Sequence, residues 1–94
     1  LTSTHSLRTL LPYFPERDLA LRYHAQGLLA AYVRMGAPAY DTRFPADSPP
    51  WEATIAKAVA SDDDHDAKLV YACRSEEAAR KDSLYRLAAA RRVG

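Results

Sequence analysis

Residues 16–35 constrain this chain more than any other stretch. Leu21, Ala25, Leu28, Tyr32 and Met35 recur at spacings of four and three, the period of an α-helix. Leu19, Ala30 and Val33 fall on other sides, so the predicted helix is apolar over much of its circumference. A helix of that kind is expected at the centre of a fold, and a chain of 94 residues has little material to surround it. Gly36 and Pro38 stop it, and Pro12 and Pro15 stand before it.

The remaining segments read as helices too. Residues 4–11 have Ser3 or Thr4 as cap, with Leu7, Leu10 and Leu11 at helical spacing. Residues 37–50 hold four prolines and form a loop, which Tyr40 and Phe44 are expected to pin to the surface. Ser48 then caps a helix with Pro49 in its first turn, and Trp51, Ile55 and Val59 are expected to face the core. Ser83 starts a last helix with Leu84, Leu87 and Ala88 on one face, and Arg91 and Arg92 complement its C-terminal dipole. No strand pattern is present. The expected fold is all-α, with four or five helices in a single helical domain spanning residues 1–94.

Residues 62–73, DDDHDAKLVYAC, carry the one concentration of chemistry-bearing groups. Ser61 or Asp62 can cap a helix there, and Asp63, Asp64 and Asp66 sit where the helix dipole favours negative charge. His65 and Lys68 are three apart and share a face, with Leu69 and Ala72 on the same side. Two readings fit. One is a capped, solvated helix start, which is the simpler reading of these residues alone. The other is a site built from the histidine and the lysine. His24, beside Ala20 and Ala31, likewise reads either as a boundary histidine or as a ligand or base in a pocket. The following segment, residues 75–82, has no bulky apolar residue and reads as a solvated helix end with Glu76–Arg80 and Glu77–Lys81 pairs.

Composition narrows the function classes. The net charge is +1, which gives no electrostatic case for nucleic acid or for an anionic membrane. A single cysteine, Cys73, excludes an internal disulfide and a structural zinc site, and makes the cytoplasm the expected location. Cys73 also stands about 12 Å along the helix from His65, too far for a nucleophile pair. Gly-rich phosphate loops, a His-Glu-x-x-His pair and an EF-hand loop are all missing. The chain begins at Leu1, so it is expected to be a piece of a longer protein.

Four blocks, in order, carry a resemblance. They are Leu7-Arg8-x-Leu10-Leu11-Pro12-Tyr13, then Leu21-Arg22-Tyr23-His24-Ala25-Gln26, then Asp63-Asp64-His65-Asp66-Ala67-Lys68-Leu69-x-x-Ala72-Cys73, then Asp82-Ser83-Leu84-Tyr85-x-Leu87-Ala88-Ala89-Ala90. Together they resemble the C-terminal part of the questin oxidase-like family. The resemblance implies a segment of a larger all-α oxygenase that uses dioxygen on an aromatic polyketide-like substrate, in a Baeyer–Villiger-type or ring-cleaving reaction. It implies non-haem iron, with His65 and a carboxylated Lys68 as ligands and Asp62 or Asp64 orienting His65. His24 is a candidate for the pocket that residues 16–35 would line. Further ligands would come from the rest of the same polypeptide or another copy, and the partner is a small aromatic substrate, not nucleic acid or membrane. The rival expectation is a small non-catalytic helical interaction module, whose apolar helix docks a partner.

Overall fold

The structure is a computed structural model that describes residues 1–40, 43 and 47–94. It contains five α-helices: α1 Thr2–Leu10, α2 Arg17–Arg34, α3 Trp51–Ala60, α4 Asp64–Arg80 and α5 Leu84–Val93. A 3-10 turn, Leu11–Tyr13, follows α1. No strand is present among the described residues, so the all-α expectation is met. The helix boundaries read from the sequence lie within about two residues of those observed, the usual uncertainty of a frayed helix end.

The chain forms two compact units, Leu1–His5 with Pro45–Gly94, and Ser6–Phe44. The first turn of α1 therefore belongs with the first unit and the remainder of α1 with the second.

In the first unit, α3, α4 and α5 pack on one another around Ala58, Val70, Cys73 and Ala89. Trp51, Ile55, Leu69, Tyr85 and Val93 close the margin of this cluster. Two of its four buried members are alanines, and small side chains at a crossing let helix axes approach closely. The buried stripe of α3 is Thr54 and Ala58, flanked by Trp51 and Ile55. Val59, expected to face inward, is instead 77% exposed. The i, i+4 series from Trp51 does not reach Val59, because the burying face turns toward the i+3 positions Thr54 and Ala58. In α5 the same shift occurs: Ala89 is buried, and Leu84, expected on the apolar face, is exposed. Ser48 does not cap α3 either. The N-cap position is Pro50, which makes no side-chain capping bond.

The second unit contains α2 and the 3-10 turn. The helix forms as the spacing predicts, with Glu16 and Met35 at its caps. Gly36 ends it with φ +90°, a conformation that suits glycine, and Ala37 follows in the same left-handed region. The Tyr32 hydroxyl donates to the Pro38 carbonyl, and the Tyr32 and Tyr40 rings stack with centroids 5.7 Å apart. Tyr40 thus fastens the loop, as expected; Phe44 lies outside the described residues. The burial expected of α2 is not found. None of its residues is buried, and Leu19, Leu21, Leu28, Leu29 and Val33 are exposed. Apolar residues spread round a helix leave some facing water whichever side is packed.

Candidate functional site

The site is built on the start of α4. Asp63 is the N-cap: its Oδ1 accepts the His65 backbone N–H at 2.9 Å. The cap is thus one residue later than Asp62 and two later than Ser61. Ser61 serves the turn differently. Its hydroxyl oxygen accepts from the Asp63 amide at 3.1 Å and donates to Asp66 Oδ2 at 2.6 Å.

Capping fixes where the side chains stand. His65 Nδ1 lies 2.9 Å from Asp63 Oδ1 and 3.3 Å from Asp64 Oδ1. One ligand atom from each of Asp63, Asp64 and His65 falls within 4.8 Å of the other two, and all three residues are exposed. Asp64 Oδ2 accepts from Lys68 Nζ at 2.6 Å, an i, i+4 pair. Arg92, from the last turn of α5, reaches back to the same end of α4. Its Nε donates to Asp66 Oδ1 at 2.5 Å and its Nη2 to Asp63 Oδ2 at 2.8 Å.

These contacts set the charge states. The His65 backbone amide, and then its ring, hold the Asp63 carboxyl below the ordinary aspartate range. The Lys68 ammonium does the same for Asp64, and the Ser61 hydroxyl with Arg92 for Asp66. In return Asp64 pushes the Lys68 ammonium up, and Asp66 raises Arg92.

His65, Asp64 and Lys68 come together, and Asp63 joins them as the group that touches both the backbone and the ring of His65. Asp62 is exposed beside the turn and makes no hydrogen bond or ion pair among the described residues. His24 lies half-buried on α2, in the other unit. The sequence suggests for Arg92 only a dipole role in its own helix, since a contact 29 residues back along the chain leaves no local mark.

An imidazole and a hard carboxylate oxygen side by side are a donor set that suits divalent iron. His65 and Asp64 fit that description, while Asp63 Oδ1 is committed to the helix cap and to the ring of His65. The latter contact is of the carboxylate–imidazole kind that orients histidines at metal sites. Lys68 is paired with Asp64. A carbamate forms from the neutral amine, and the Asp64 pair favours the ammonium.

A second polar cluster, not expected from the sequence, lies farther along α4. Glu76 is 1% exposed; its Oε1 lies 2.8 Å from His5 Nδ1 and its Oε2 accepts from Arg80 Nε at 3.2 Å. The expected Glu76–Arg80 pair is present, but the segment is not a solvated end. Glu77 does not pair with the Lys81 side chain. Its Oε1 accepts from Arg86 Nη2 at 2.6 Å and from Trp51 Nε1 at 3.3 Å.

Comparison with known proteins gives one relationship. No curated protein and no solved structure matches the chain. The sequence model of the questin oxidase-like family matches residues 1–73, which include α1 to α3 and the whole Asp63–Asp64–His65 cluster; the Asp82–Ala90 block lies beyond the match. A match over more than three-quarters of its length makes this chain a member of the questin oxidase-like family.

Proposed function

We propose that the chain is a segment of an oxidoreductase that uses dioxygen on an aromatic polyketide-like substrate, with a non-haem iron held in part at the start of α4. Family membership gives an oxidase-type function at the level of the family. The finer reading is supported by one observation above the rest: His65 and Asp64 offer nitrogen and oxygen donors at one end of a helix, with Asp63 bonded to the histidine ring.

In this reading His65 and Asp64 bind the iron. Asp63 fixes the imidazole by accepting at Nδ1, and Arg92 holds Asp63 in place from α5. Iron, when bound, supplies dioxygen activation, which no side chain of the chain can perform. Lys68 enters through Asp64: its ammonium neutralises that carboxylate, a role that a bound dication would assume. Two protein donors would not complete the binding of an iron ion, so further ligands would be needed. These come from the rest of the same polypeptide or from another copy.

Anaerobic titration with Fe(II), read by bound-metal stoichiometry, tests the reading. His65→Ala and Asp64→Asn are expected to lose the iron while keeping the helical circular-dichroism signal. Unchanged stoichiometry in both variants overturns it. Oxygen uptake on adding a hydroxyanthraquinone to the iron-loaded protein tests the substrate class.

A second reading, a helical interaction module without catalysis, is favoured by the exposed leucines of α2. It predicts a chain that binds no iron and whose association state is indifferent to chelators.

A further inference from the structure

At the far end of α4, about 25 Å from Asp64 by helix rise, the first unit has a cleft of about 430 Å³. It is bounded by Trp51 of α3, by Arg74, Glu77 and Lys81 at the end of α4, and by Ser83 and Arg86 at the start of α5. Ala78 completes its apolar wall.

The charges of this cleft do not balance. Glu77 is its only carboxylate, and its Oε1 already accepts from Arg86 and from the Trp51 indole N–H. Arg74 and Lys81 form no ion pair among the described residues. Two cations are therefore left over around one small depression. Surface cations usually stand apart in water, because crowding like charges is unfavourable. Here the backbone holds one of them at the cleft. Lys81 occupies the left-handed C-cap position of α4, with φ 57°, where its amide closes the helix onto the Glu77 carbonyl.

A second observation concerns Arg86. Its guanidinium lies over the Trp51 ring, 5.6 Å from the centroid, and its Nη2 is bound to Glu77. Its Nε is buried and has no hydrogen-bond partner among the described residues. Buried donors are nearly always satisfied in folded proteins. Glu77 Oε2 is likewise buried without a partner among the described residues, so the Arg86–Glu77 pair leaves one donor and one acceptor unfilled beside the cleft. The Ser83 hydroxyl is the N-cap side chain of α5 but makes no capping bond, so it too is available to an incoming oxygen.

From these facts we infer that the cleft binds a phosphate monoester with a flat apolar body. Arg74, Lys81 and Arg86 take the phosphate head, and Trp51 and Ala78 take the body. Two unpaired cations match a dianion better than a single carboxylate, and guanidinium groups bind phosphate oxygens in the geometry they present. The indole supplies the contact area that a bare ion would leave unused. This site is independent of iron at His65 and needs nothing from α2.

Trp51 is the only tryptophan, so its fluorescence and its indole N–H resonance report on this cleft directly. The test titrates the whole chain with phenyl phosphate, inorganic phosphate and phenol. Phenyl phosphate is expected to give a saturable change in both signals. Inorganic phosphate is expected about tenfold weaker, roughly the contribution of one aromatic contact, and phenol should give none. Arg74→Gln combined with Lys81→Gln, both exposed positions, is expected to weaken phenyl phosphate at least about tenfold with unchanged helicity. Absence of a saturable response to phenyl phosphate overturns the proposal, as does full affinity in the double variant. Equal binding of inorganic and phenyl phosphate overturns the assignment of the organic body.

Discussion

His5 Nδ1 lies 2.8 Å from Glu76 Oε1 across 71 residues of sequence, and this contact ties the first turn of the chain to the middle of α4. The carboxylate is almost wholly buried, while His5 is partly exposed and its ring meets Tyr71 edge-on. Glu76→Ala removes the acceptor from His5 and from Arg80 at once. Arg80 is half exposed and can return to water, so the cost is well below that of a fully stranded ion. We expect a loss of about 1–3 kcal/mol, read as a lower urea midpoint at unchanged slope, with Glu76→Gln losing less. An unchanged midpoint for Glu76→Ala would show that the contact contributes nothing.

Acid should act through α4. The carboxyls of Asp63, Asp64 and Asp66 are all held below their ordinary value in the folded chain. A carboxyl depressed on folding adds stability above its unfolded pKa and loses it as the pH falls through the folded value. Stability is therefore expected to be level from neutrality down to about pH 4, the ordinary aspartate value, and to fall below that. Arg92→Gln removes one cause for Asp63 and Asp66, so its acid limb should be shallower. Thermal melts of both proteins between neutrality and strong acid decide the point, and identical limbs would refute the role given to Arg92.

Lys68 separates two versions of the metal site. If its ammonium competes with iron for Asp64, then Lys68→Met frees the carboxylate, and Fe(II) affinity rises by a factor of about two to five, the scale of an exposed ion pair. If the lysine is itself a ligand as its carbamate, the same variant loses affinity. Competition with a chelating dye reads the sign, and we expect the rise.

Cys73 has no exposed surface, and burial pushes its thiol above the usual range. The native chain should react with a disulfide reagent at least about a hundredfold more slowly than the urea-unfolded chain, because only the thiolate attacks and only an opened core exposes it. Comparable rates would mean that the α3–α4–α5 core opens freely.

Much of this architecture is written in local pattern. The prolines, Gly36 and the apolar spacing set where α2 runs, and the acids after Ser61 announce the start of α4. Long-range matters are not written that way. Residues 75–82 look solvated because they lack bulky apolar groups, yet Leu69, Ala72, Cys73 and Glu76 keep the three-four spacing, and that places Glu76 on the buried face. Spacing alone could have flagged the carboxylate; its partner His5 could not be found, since nothing near Glu76 points to the chain's fifth residue. The candidate site shows the same division. Asp64, His65 and Lys68 are neighbours on one turn and legible together, whereas Arg92 arrives by tertiary packing. The exposure of α2 follows from an apolar distribution without a single face, which a count of leucines mistakes for burial.

The core also bears on how this protein can be dissected. Family similarity stops at Cys73, in the middle of α4, whereas the packing that buries Cys73 draws on Tyr85, Ala89 and Val93 from α5. An excision at the similarity boundary would cut through the hydrophobic cluster and discard Arg92, leaving Asp63 and Asp66 without their guanidinium. The four clustered acids of such a fragment would attract divalent ions by charge density alone. Metal retention by a trimmed piece would then be an artefact of the cut, and only a chain that keeps α5 can report on the site.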